Sequence, residues 1–297
     1  MIGRGRIHNC YIRVITLKCW WSTGEFTLKT MAILSKCLPS CQGREVENFL
    51  VVSIPMERPR GHQHPITRMI AEINSIFAEI GFAYADGPEV ESEHYNFDRL
   101  NVPKDHPSRD MQDTFWFKDK DVSEPTVLRT HTSPVQARYM ETHNHALPIR
   151  MICPGKVFRN EATDATHEAQ FFQLERLEVG EGIHLGHLKG TLEYFFERFL
   201  GGDVEIRFRP GFFPFVEPGV EVDMKLLSGE SKLKGKWIEI MGAGMTHPNV
   251  LRDSGIDPAM YSGYAFGMGI DRLAVMKYGV NDVRDLYTGD LRFVNQF

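Results

Sequence analysis

Two segments of the chain each deliver one arginine from an apolar run, Gly155-Lys-Val-Phe-Arg159-Asn-Glu161 and Gly267-Met-Gly-Ile-Asp-Arg272-Leu, more than a hundred residues apart. A guanidinium stays charged, forks onto phosphate oxygens and stacks on flat rings, so two of them fixed in space can hold ATP from both sides. Taken singly, each arginine also suits a surface ion pair. Other nucleotide signatures fail on spacing. Gly267-Met-Gly269 starts like a dinucleotide fingerprint, but Arg272 stands at the third glycine position. The lysine-bearing stretch from Gly229 to Lys236 misses the phosphate-loop spacing, and Trp237 occupies the place of a magnesium-binding hydroxyl, so a surface loop is expected. His143 and His145 lack nearby cysteine or carboxylate partners and suit a solvated turn better than a metal.

The elements that must position these groups show in the apolar spacing. Ile66, Met69, Ile70, Ile73, Ile76, Phe77 and Ile80 recur at steps of three and four between Pro65 and Gly81, an amphipathic helix. Leu185, Leu188, Leu192, Phe195, Phe196 and Phe199 mark a second one. Val204, Ile206 and Phe208 alternate with charged residues as a strand, and Thr114–Phe117 and Thr126–Leu128 are strand-like. Strands dominate the middle and helices flank them, which predicts an α+β fold on a mostly antiparallel sheet.

The chain has 297 residues, 42% of them apolar and 25% charged, which excludes disorder and fibrous classes. No stretch approaches the roughly 18 uncharged apolar residues of a membrane span. Five cysteines, an odd number, argue against a disulfide framework and for a reducing, cytoplasmic location. Residues 1–60 differ from the rest: nine Lys/Arg stand against four Asp/Glu, whereas residues 61–297 carry 25 against 35. Four cysteines (Cys10, Cys19, Cys37, Cys41) also lie in this head, where no helical or strand period persists. It reads as a poorly ordered extension before a catalytic domain at 61–297. A zinc site, a transit peptide, or a true start at Met56 are the alternatives.

From His64 to Phe297 the chain resembles the catalytic domain of the bacterial phenylalanyl-tRNA synthetase α subunit family, a class II aminoacyl-tRNA synthetase. The resemblance is carried by Gly87-Pro-Glu-Val-Glu91, Tyr95-Asn-Phe97, Asp105-His-Pro107, Met111-Gln-Asp-Thr-Phe115 and Arg129-Thr-His-Thr-Ser-Pro134. It continues through Asp164-Ala-Thr-His167, Phe213-Pro-Phe215, Gly242-Ala-Gly-Met245, His247-Pro-Asn249 and Ala265-Phe-Gly-Met-Gly269. It implies the class II synthetase fold. It further implies ATP as substrate, Mg2+, phenylalanine as amino acid, phenylalanine tRNA as acceptor and a β subunit in an α2β2 assembly, needed because the chain ends at Phe297 without an anticodon-binding module.

By the same resemblance Arg159 binds the α-phosphate, Arg272 lies over the adenine and against the γ-phosphate, Phe171 covers the other adenine face and His167 contacts phosphate. Trp116, His131, Ser133, Gln173 and Glu175 correspond to residues that bind the ammonium and carboxylate of phenylalanine. Phe213 and Phe215 meet its ring edge-to-face, and Ala265 forms the pocket floor. Glu217 matches a carboxylate that binds magnesium jointly with the β subunit. Plainer readings stand beside these: Phe171 and Phe213-Pro-Phe215 also suit an ordinary core, and Ser133 before Pro134 suits a helix N-cap.

Three positions depart from the family pattern. Phe172 stands for histidine, Arg176 for glycine and Asp271 for glutamate, and Arg176 is expected to pair with Glu175 and alter the pocket. The long helical coiled coil that bacterial α subunits carry at the N-terminus has no counterpart in residues 1–60. Other readings are a non-catalytic binding module or a relative that activates another amino acid, such as phosphoserine, although an apolar pocket offers nothing to pair a phosphate.

Overall fold

The computed structural model describes residues 61–105, 114–118, 124–143, 146–228 and 234–297, together with the backbone of four short strands before them. The chain divides into two compact units, Met1–Gly61 and His62–Phe297. In the first, β1 (Gly3–Ile7), β2 (Cys10–Ile15), β3 (Met31–Ser35) and β4 (Val51–Ser53) pair in sequence order, each antiparallel to the next. Strands of three to six residues are too short for a period to stand out. Cys19, Cys37, Cys41 and the side chain of Cys10 lie outside the described residues, and with them the zinc, transit-peptide and alternative-start readings of the head. His106, Pro107, Met111 to Asp113, Asn144 and His145 also lie outside them.

The second unit begins with α1 (Pro65–Glu79). Proline at the first turn has no N–H to leave unsatisfied, and the His64 ring accepts from the Ile66 N–H at 3.3 Å, so the start is capped. Gly81, at φ +81°, ends it in the left-handed region. The chain continues through β5 (Ala83–Tyr84), β6 (Val90–Ser92), the short α2 (Glu93–Asn96) and β7 (Thr126–Leu128), which pairs with β6. Of the strand-like Thr114–Phe117 only Trp116 makes a bridge, to Val127. Next come α3 (Pro134–Thr142), β8 (Ile149–Phe158), β9 (Gln170–Gly180), α4 (Leu185–Leu200), β10 (Val204–Phe213), β11 (Val216–Leu226) and β12 (Trp237–Thr246). The chain closes with α5 (Pro248–Asp253), β13 (Ser262–Gly269), α6 (Ile270–Tyr278) and α7 (Leu291–Val294).

Among the described residues a seven-stranded sheet runs in the order β10-β11-β12-β13-β9-β8-β5, antiparallel throughout except where β5 joins β8. This is the mostly antiparallel sheet flanked by helices that the patterning predicted. Side chains alternate across a strand, so each strand contributes to two different layers. The apolar stripes of α1, α4 and α6 cover one face, packing Ile73, Phe77, Phe195 and Leu273 on Leu174, Val222, Tyr264 and Phe266. On the other face Val135 and Met140 of α3 and Val250 and Leu251 of α5 meet Leu177, Val216 and Ala265. Parity along β9 and β13 therefore decides which residues serve the core and which serve a site. Gln173, Glu175, Ala265 and Gly267 fall on the second face. Among the described residues no helix is long and apolar enough to cross a membrane.

Candidate active site

Arg159 follows β8 directly and is held by its Nε donating to the Thr130 carbonyl at 3.2 Å. Its guanidinium lies 5.1 Å from the centre of the Phe171 ring, and among the described residues no carboxylate pairs with it. Burial works against its charge and Glu161 and Glu175 support it. An arginine still remains protonated in such a setting. Arg272 is exposed at the third residue of α6, whose N-terminal N–H groups give that end a partial positive charge. Arg159, His167, Phe171 and Arg272 all line one cleft of about 570 Å³. His167 Nδ1 lies 3.1 Å from both oxygens of Asp164 and donates to that carboxylate. The Asp164 carboxyl is held well below its usual range by the Thr166 N–H and hydroxyl and by His167. The cleft thus brings together cationic groups and a flat ring, the chemistry of a nucleoside triphosphate site.

A second constellation centres on Glu175, 3% exposed. One oxygen accepts from Gln136 Nε2 at 2.6 Å and the other from Gln173 Nε2 at 2.7 Å, and the Ser133 hydroxyl bonds to it as well. Burial pushes its carboxyl up to about 8, against the pull of Ser133, Arg159 and Gln136. Among the described residues the acceptor oxygen of Gln173 and the Nδ1 of His131 are buried with no hydrogen-bond partner. Burial, and then the charges of Arg159 and Arg129, lower His131 to about 3, so the ring is neutral. A buried acid and an unpartnered amide oxygen side by side are a receptacle for an ammonium group.

Beside them lies an apolar wall. The Phe213 and Phe215 rings stack at 6.1 Å and 27°, His131 lies 6.4 Å from Phe215, and Ala265 packs in the same cluster. Two glycines make the fit. A Cβ on Gly242 would stand 2.6 Å from Phe213 Cζ, and one on Gly267 would collide with Glu175 Oε1 and Gln173 Nε2. Trp116, 48% exposed, stacks at 6.2 Å on Phe97, whose cluster includes Phe215. Glu217 sits elsewhere, exposed in a cavity of about 590 Å³ lined also by Asp98, Lys104, Phe213 and His247. Among the described residues no three His, Cys, Asp or Glu side chains converge to hold a metal. A single exposed carboxylate suits an ion that keeps most of its waters.

One expectation changes, and two of the plainer readings do not hold. Arg176 does not pair with Glu175: adjacent residues on a strand face opposite sides, and its fully buried side chain lies on the helix-covered face. There it bonds Glu178 at 3.0 Å, with Phe82 at 3.8 Å and Tyr264 at 4.4 Å from the guanidinium carbon. Ser133 occupies the N-cap position of α3 but makes no cap bond, its hydroxyl going to Glu175 instead. Phe171 lines the cleft rather than the core. Two residues at the candidate site were given no role in the sequence reading. Gln136 carries no charge to draw notice, yet it stands three residues after Ser133, one helical turn away on the same face. Arg129 is buried and donates to the carbonyls of Lys156 and Gly87, and among the described residues no carboxylate pairs with it.

These features agree with what the chain is similar to. The family described as tRNA synthetases class II core domain (F) matches residues 50–297. A pyrrolysyl-tRNA synthetase from Desulfitobacterium hafniense superposes with a TM-score of 0.58 at 18% identity, over 76% of this chain and 74% of its own, a likeness of fold. Fold and sequence together define a class II aminoacyl-tRNA synthetase. Phenylalanine--tRNA ligase alpha subunits are 53% identical in Macrococcus caseolyticus (80% of this chain, 67% of that protein) and 52% identical in Enterococcus faecalis (84% and 73%). The chain belongs to the phenylalanine–tRNA ligase alpha subunit family.

Proposed function

We propose that the chain activates phenylalanine with ATP and transfers it to phenylalanine tRNA, as the catalytic subunit of an α2β2 enzyme in the cytoplasm. A carboxylate oxygen of phenylalanine attacks the α-phosphorus in line, the new P–O bond forms, and pyrophosphate leaves with the electron pair of the broken one. The attacking carboxylate is ionised at neutral pH, so the protein supplies position and charge rather than a base. Arg159 neutralises the α-phosphate, Arg272 meets the adenine and the γ-phosphate, Phe171 takes the other adenine face and His167 a phosphate. Glu175 and Gln173 receive the ammonium group, with Trp116, His131 and Ser133 around the head of the amino acid. Phe213 and Phe215 take the ring, over Ala265. In the second step the 2′-hydroxyl of the terminal ribose attacks the carbonyl carbon and AMP departs.

The observation that carries this reading is the buried Glu175 with the Gln173 oxygen, unpartnered among the described residues, against Gly267, whose cross-strand partner Gly242 lies under the Phe213 ring: a place for an ammonium beside a place for a benzyl group. Glu217 fits as one ligand of a hydrated magnesium ion shared with the β subunit. When bound, the ion supplies a charged bridge to that partner. Residues 61–297 are acidic and offer no broad phosphate-binding footprint, which supports a tRNA-reading partner. The test is charging of phenylalanine tRNA by this chain with and without a β subunit. Charging only with both is expected, and charging with a different amino acid would overturn the assignment.

A further inference from the structure

Asp271 stands next to Arg272 and is buried. One of its carboxylate oxygens accepts from the Phe172 N–H at 2.8 Å, beyond the last β9–β13 pair at Gln173 and Gly269. The other accepts from the Tyr287 hydroxyl. One carboxylate therefore ties together the strand that carries Phe171 and the helix that carries Arg272. Burial pushes the Asp271 carboxyl above its usual range, and the Tyr287 hydroxyl and Phe172 N–H work against that.

Tyr287 is itself anchored. It follows a 3-10 turn, Val283–Leu286, whose first residue donates its N–H to the Ala165 carbonyl at 3.0 Å, in the loop between β8 and β9. The Leu286 carbonyl is 2.8 Å from the His64 Nε2 at the start of α1. Asn281 and Val283 line the same cleft as Arg159 and Arg272. The segment 281–287 thus touches the cleft loop, the motif-bearing helix and the start of the unit.

We infer that Asp271, which itself lines the nucleotide cleft, and Tyr287, which does not and acts through it, are positioning residues that set the Phe171 wall against the Arg272 wall. The inference rests on the reading that this cleft takes ATP. The distance between a stacking ring and a guanidinium fixes how tightly a flat base sits between them. Tyr287 holds that distance through its hydrogen bond to the Asp271 side chain.

The test is equilibrium binding of magnesium-ATP and, separately, of phenylalanine to the full-length chain in the assembly in which it purifies. Tyr287→Phe removes one hydroxyl and is expected to weaken ATP roughly 5- to 10-fold while leaving phenylalanine unchanged. Asp271→Ala should weaken ATP further. Asp271→Asn should restore it to near the parent, because the amide oxygen accepts from Phe172 and the amide N–H donates to a turned Tyr287 hydroxyl. Parent-like ATP binding in Tyr287→Phe overturns the inference, as does equal weakening of both ligands or an Asp271→Asn as damaged as Asp271→Ala. Arg272→Ala separates the two levels. If it loses ATP while Tyr287→Phe does not, positioning alone fails; if it too binds ATP normally, the reading of the cleft fails.

Discussion

Glu175 carries both a cost and a function. Its carboxyl is raised from its ordinary 4.5 to about 8 by burial, so the folded chain binds a proton that the unfolded chain releases. Between those values the folded state holds more protons, and stability falls as pH rises from about 4.5 through about 8. Glu175→Gln keeps the shape without the charge. The ligand-free variant is expected to lose this decline and melt above the parent at pH 9, with KM for phenylalanine raised about 100-fold by loss of the ammonium partner. Melting curves at pH 6 and pH 9 and steady-state activation kinetics check both halves. Ala265 tests the other end of the pocket. One carbon in an apolar pocket changes substrate choice by about 1–3 kcal/mol, so Ala265→Gly should admit para-chlorophenylalanine and Ala265→Ser should reject it more strongly. An unchanged ratio of kcat/KM values for the two amino acids in Ala265→Gly would remove this residue from the pocket. Ala265 was legible in the sequence because it opens a long motif run, and Glu175 because its position matches the family resemblance. Gln136 lies in no such run, and Arg129, although it heads the Arg129-Thr-His-Thr-Ser-Pro134 run, bonds backbone carbonyls that no motif spells out.

At the scale of elements the sheet sorts residues by parity. Helices α1 and α4 were readable from steps of three and four, and β10 from alternation, since each has one face in a core. Strand β9 was harder: from Gln173 to Gly180 it is buried on both faces, so no alternation marks which side chain serves which layer. Arg176 shows the consequence, because the charge next to Glu175 in sequence lies behind the sheet. Its partner Glu178 also bonds Arg150 at 2.9 Å and receives the Tyr264 hydroxyl at 2.7 Å, so removing the arginine does not strand that acid. Arg176→Met is therefore expected to leave phenylalanine activation within about twofold of the parent and to shift stability by about 1–2 kcal/mol in either direction. Activity lost at unchanged stability would mean that the arginine reaches the pocket.

For the whole molecule, two sites on one sheet must act on one reaction: a cationic cleft at the junction of β8, β9 and α6, and an acid-and-aromatic pocket on β9, β10 and β13. Arg159 links them, since it lines the cleft and its charge is felt by both Glu175 and His131. The fold class was predictable from the order of elements, whereas the convergence of the two sites was not, because it depends on sheet order that sequence neighbours do not reveal. The central claim is that these two sites together activate phenylalanine. The measurement that meets it most directly is amino-acid-dependent exchange of labelled pyrophosphate into ATP, on the full chain with and without a β subunit, for phenylalanine against serine derivatives and in Arg272→Ala. Exchange that depends on phenylalanine and falls about 30- to 1,000-fold in Arg272→Ala is the predicted result. Exchange supported by serine derivatives but not phenylalanine, or undiminished in Arg272→Ala, would contradict it.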